Sequence, residues 1–92
     1  MKYQQIPNVV ARRLGAEILL VPVKGNLADM RRVFTLNATG EAIWQALAAP
    51  VTLEQIVARL DEAFAVPEAT ARADAAEILE HMSACGLVRK IQ

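Results

Sequence analysis

The sequence predicts an α+β fold: a small three-stranded antiparallel sheet followed by a three-helix bundle, in a winged-helix-like arrangement. Two observations carry this expectation. Short apolar runs broken by Gly and Pro fill residues 9–36, whereas residues 37–85 show apolar positions at helical spacing behind capping residues, with a stop at Gly86. Strands written before helices gather the helices on one face of a sheet. A length of 92 residues suits one domain over 1–92 with a modest core, too little for scaffold plus an enclosed active site.

The first strand is expected at 9–14, with Val9 and Ala11 alternating against Val10 and Arg12. Gly15-Ala16 breaks it, and the strongest strand runs from Glu17 to Val21 or Val23. Leu19, Val21 and Val23 point one way on it, Ile18 and Leu20 the other. Pro22 lacks a ladder donor, so it belongs at a bulge or beyond the paired stretch. Lys24-Gly25-Asn26 reads as a turn and residues 27–30 as a loop or a short helical turn. The third strand is expected over 32–36, Phe34 and Leu36 on one face, Val33 and Thr35 on the other.

Asn37 suits a helix N-cap, and Pro50 closes the helix it opens, with Ile43, Trp44 and Leu47 on the buried side. Thr52-Leu53-Glu54-Gln55 has the capping-box pattern, followed by Leu53, Ile56, Val57, Leu60 and Phe64 at helical spacing. Val66-Pro67 interrupts, and the third helix is expected over 68–85. Its core stripe reads Ala71, Ala75, Ile78, Met82 and Cys85, flanked by Ala76, Leu79 and Ser83. Gly86 supplies a left-handed stop and Leu87 the apolar contact that folds back.

Several function classes drop out. The longest apolar run is Ile18-Leu19-Leu20-Val21, too short to span a bilayer, and the N-terminal text lacks the apolar stretch of a signal peptide. A single Cys excludes an internal disulfide and fits a reducing compartment, so the cytoplasm is expected, with no membrane partner. His81 has no second ligand type at metal spacing, Cys85 falls on a helix stripe, and no Gly-rich phosphate loop occurs. No catalytic residue, metal or cofactor is therefore expected, and the chain reads as a non-enzyme.

Net charge is zero but polarised: residues 1–36 carry six cations against two anions, residues 37–92 four against eight. The third helix holds Glu68, Asp74, Glu77 and Glu80 against Arg72 alone. Nucleic-acid affinity comes largely from Lys and Arg, so this helix would repel a DNA groove and no nucleic-acid partner is expected. A winged-helix regulator of DNA or protein is the alternative reading, and a detached structural domain of a larger enzyme complex a third. The sheet offers something different: an open edge accepts a strand from another chain. Arg31-Arg32, just ahead of the third strand, can pair with acidic side chains on such a peptide.

The run Phe34-Thr35-Leu36-Asn37-Ala38-Thr39-Gly40-Glu41-Ala42-Ile43-Trp44 resembles the strand-to-helix junction of the PqqD-like family. Thr52-Leu53-Glu54-Gln55-Ile56-Val57-Ala58-Arg59-Leu60 is similar to that family's second helix. Val66-Pro67, Asp74, Ile78-Leu79 and Gly86-Leu87-Val88 resemble its third helix and the turn ending it. Ala49-Pro50 stands where the family often has Asp-Gly or a similar turn, and Val21-Pro22-Val23-Lys24-Gly25 departs from the text of pyrroloquinoline-quinone members, so the likeness is to a general PqqD-like chaperone rather than to that pathway. The resemblance implies a recognition element for ribosomally made, modified peptides. Such an element holds a precursor's leader peptide and presents it to a modifying enzyme, often a radical S-adenosylmethionine (radical SAM) protein; a homodimer stays open. It further implies that the leader adds as a strand beside Arg32, Val33, Phe34, Thr35 and Leu36 and packs on the third helix. Periodicity nominates Arg72, Ala76, Leu79 and Ser83 as the helix face. Strand addition with ordering of the peptide points to micromolar affinity, roughly −8 kcal/mol.

Overall fold

The computed structural model describes residues 1–24, 27–28 and 33–91, with the backbone alone at Lys24, Leu27 and Ala28. The elements in order are β1 (Lys2–Gln5), β2 (Val9–Leu14), β3 (Glu17–Lys24), β4 (Leu27–Ala28), β5 (Phe34–Leu36), α1 (Ala38–Ala46), α2 (Leu53–Phe64), α3 (Glu68–Ala84) and β6 (Val88–Ile91). The α+β class holds, and β1 to β5 precede the three helices, with β6 following them. Leu27–Ala28, expected as loop or helical turn, instead continues the hairpin opposite Val23 and Lys24. The remainder of that expected turn and loop, residues 25–26 and 29–30, lies outside the described residues.

β3 is the middle strand. β2 covers one side, from Val9 opposite Pro22 to Leu14 opposite Glu17. β5 pairs on β3 through Ile18, Leu19 and Leu20 against Leu36, Thr35 and Phe34. The backbone of Val23 donates to Asn8 O at 2.7 Å, so odd-numbered residues of β3 turn their polar groups toward β2. Even-numbered ones turn toward β4 and β5. Pro22 is therefore tolerated inside the strand: its missing N–H faces the β4–β5 side, where the ladder changes register. There β3 advances three residues, from Leu20 to Val23, while the returning chain uses six, from Ala28 to Phe34.

The caps form as the sequence predicts. Asn37 Oδ1 accepts from the Gly40 backbone at 2.9 Å. Thr52 Oγ1 accepts from Gln55 N at 3.1 Å while Gln55 Oε1 accepts from Thr52 N at 2.8 Å. At the end of α3, Gly86 sits at φ 74°. Its N–H donates to Ser83 O at 3.1 Å, and Leu87 N donates to Met82 O at 2.9 Å. Leu87 is then wholly buried, closing the core it was expected to touch.

Ile18, Leu20 and Leu36 of the sheet meet Ile43, Trp44 and Leu47 of the first helical segment, Ile56, Val57 and Leu60 of α2, and Ala71, Ala75, Leu79 and Met82 of α3. Trp44 is a core residue, as its spacing suggests. On α3 one expectation is reversed: Leu79 is buried, whereas Ile78, placed in the stripe by periodicity, is half-buried at its margin. Both lie one helical step from the Ala75–Met82 line, and packing selects between them. Gly40 lets α1 approach β5; a Cβ there would stand 2.9 Å from Leu36 Cδ2.

Two further strands were not expected. β1 pairs antiparallel with β6, from Lys2 opposite Ile91 to Gln5 opposite Val88. β1 also stitches the helical layer: Tyr3 and Val51 exchange backbone hydrogen bonds of 2.7 and 2.9 Å, and Gln5 N donates to Leu47 O at 2.9 Å.

Candidate functional site

The register of β5 sets which of its backbone groups are free. Leu36 and Phe34 face the even-numbered residues Ile18 and Leu20, so their N–H and C=O groups are used on β3. Thr35 alternates with them and turns its backbone N–H and C=O the other way, to an edge that no described strand covers. Its side chain is exposed on the outer face of the sheet, while Leu36 is buried in the core and Phe34 and Val33 are half-buried. Arg32 lies outside the described residues.

Beyond the end of β5, Asn37 and Thr39 stand across a hollow of about 300 Å³ from Asp74, Glu77 and Ile78 of α3. The strand thus runs out beside a concavity with one half-buried apolar side chain and two exposed carboxylates on its helical wall. The nominated face of α3 lies elsewhere. Arg72 donates to Glu68 Oε1 at 3.2 Å within α3 and to Glu54 Oε1 at 2.8 Å, the latter tying α3 to α2. That hydrogen bond holds the Glu54 carboxyl below the ordinary carboxylate value. Ala76, Leu79 and Ser83 line a separate hollow of about 320 Å³ with Tyr3, Leu53, Glu80 and Lys90. No residue of β5 lines it.

Helical geometry accounts for the separation. At 3.6 residues per turn, Ala71, Ala75 and Met82 form the central buried line. Asp74, Glu77 and Ile78 fall on one flank of it, Arg72, Ala76 and Ser83 on the other. Only the first flank is turned toward the β5–α1 junction. The signal that could have marked it was there in the sequence: Ile78, the larger of the stripe's side chains beside Met82, with a carboxylate one turn before it and another adjacent.

Among the described residues, no group of three or more His, Cys, Asp or Glu side chains could hold a metal ion. No described helix is long and apolar enough to cross a membrane.

The family model described as "Coenzyme PQQ synthesis protein D (PqqD)" matches residues 17–88. Among solved structures, the chain is similar to "TbiB1 in Complex with the TbiA(beta) Leader Peptide", with a TM-score of 0.73 and 21% identity, covering 97% of this chain and 98% of that one. At that identity the likeness establishes the fold. No curated protein matches the chain.

Proposed function

The chain belongs to the PqqD family, and from that premise we propose that it is a non-catalytic adaptor whose ligand is the leader of a precursor peptide, received as an added strand on β5. The observation that carries this reading is the backbone donor and acceptor of Thr35, turned away from β3 and unpaired among the described residues, on an edge beside a concavity walled by α3. Backbone hydrogen bonds to such an edge supply affinity with little sequence demand, and alternate side chains of the peptide select through the adjoining wall. The solved protein of the same fold is in complex with a leader peptide, which supports the same choice of ligand.

In this reading Val33, Phe34, Thr35 and Leu36 form the docking strand, with Asp74, Glu77 and Ile78 as the helix face. Arg72 and Leu79 act in packing α3 against α2 and the core. The bound leader is presented to a modifying enzyme in the cytoplasm, a radical SAM protein being the type that the family likeness suggests.

The test is chemical-shift mapping of isotope-labelled protein titrated with the leader of a precursor peptide that it binds. Shifts should centre on residues 33–36 and on Asp74, Glu77 and Ile78. Shifts centred on the Tyr3–Lys90 hollow, with Thr35 silent, would move the site to the other flank of α3.

A further inference from the structure

We infer that the leader segment lying beside the end of β5 is basic: a Lys or Arg and an apolar residue on the same side of the extended peptide. The inference rests on the proposed strand addition and adds the chemistry of the ligand to it.

The argument starts from alternation. A peptide added to the β5 edge points every second side chain toward the face that carries Phe34 and Leu36, the face on which the helices pack. Near Leu36 and Asn37 those side chains meet the wall formed by Asp74, Glu77 and Ile78. Ile78 is half-buried and apolar, and it adjoins the core, so it offers an apolar side chain a surface to cover. Two residues along a strand span about 6.8 Å, and one helical turn rises about 5.4 Å. The two spacings are close enough for one peptide side chain to cover Ile78 while its neighbour two positions away reaches a carboxylate.

Charge sets the second position. Neither Asp74 nor Glu77 has an ion-pair partner among the described residues, whereas the one cation of α3, Arg72, is engaged with Glu54 and Glu68 on the opposite flank. Asn37 Oδ1 is already occupied by the Gly40 N–H. Among the described residues, the wall therefore presents two uncompensated negative charges. A carboxylate on the peptide would be repelled there, and an ammonium or guanidinium attracted. Like-charge juxtaposition excludes wrong partners as effectively as attraction recruits the right one.

The experiment uses a displayed library of random, unconstrained peptides, selected against the 92-residue chain in low salt. Selection is repeated on an Asp74→Lys, Glu77→Lys double variant and on Thr35→Pro, each checked for folding by circular dichroism. Peptides from the native chain should be enriched in an apolar residue with Lys or Arg two positions away. Exchanging that cation for Glu should weaken binding roughly fivefold to tenfold, an effect that shrinks as salt rises. The double variant should favour Asp or Glu at the same position. Recovery of the same peptides by native chain and double variant, with Thr35→Pro losing them, would overturn the charge inference and leave strand addition standing. Peptides retained equally by Thr35→Pro, or no peptide recovered from any selection, would overturn both.

Discussion

β2 and β5 are outer strands on opposite sides of β3 in one sheet, yet they are built for different uses. β2 is six residues long, and five of them are exposed. Its Arg12 and Arg13 place charge along the edge, a common device against unwanted pairing, and Arg13 is drawn to Glu41 on α1. β5 is only three residues long, but Leu36 anchors it in the core and α1 begins directly after it. α3 stands across the junction with Ile78 and its carboxylates. The difference teaches that an open row of N–H and C=O groups is not yet a site. A backbone edge offers nonselective hydrogen bonds; a neighbouring side-chain wall adds selectivity and keeps water from competing.

The sharpest test of this contrast is stability. Leu36→Ala should cost about 2–5 kcal/mol, because it opens a cavity beneath β5 where the side chain is 3% exposed. Leu14→Ala on β2 should change stability by less than about 0.5 kcal/mol, since Leu14 is 61% exposed. Chemical denaturation of the two variants would measure both. Equal losses would mean that β5 is no better anchored than β2.

Backbone substitution separates binding from folding. Thr35→Pro removes a donor that faces outward, so the fold should survive while leader affinity falls by about tenfold or more. Its twin on the other edge is Ala11→Pro, whose lost N–H also faces outward by the same alternation. Titration calorimetry with the leader should show Ala11→Pro binding like the native chain. Weakened binding in Ala11→Pro with an unaffected Thr35→Pro would transfer the docking edge to β2.

A smaller effect sits away from both edges. Thr52→Ala breaks the capping box of α2 and should cost about 1 kcal/mol of stability. Leader affinity measured well below the melting temperature should not change. A loss of binding without a loss of stability would tie α2 to the site instead.

Local chemistry made much of this molecule legible. Asn37, Thr52 and Gly86 mark helix boundaries through hydrogen bonds to residues only a few positions away. Those interactions are written in adjacent text and need no knowledge of the fold. The alternation of β3 and β5 was readable for the same reason, and with it came the outer strand on which the site is proposed. Three features needed the third dimension. β1 and β6 pair across nearly the whole chain, and their partly polar text carries no period that announces a partner so distant. Pro22 fits inside β3 because the register changes on the side its missing donor faces, a fact about a neighbouring strand rather than about Pro22. The third is α3. Its sequence determined a buried line flanked by two polar faces, one with Asp74, Glu77 and Ile78, the other with Arg72, Ala76 and Ser83. Helical periodicity treats those flanks alike; the packing of α2 and β6 against one of them left the other turned toward β5.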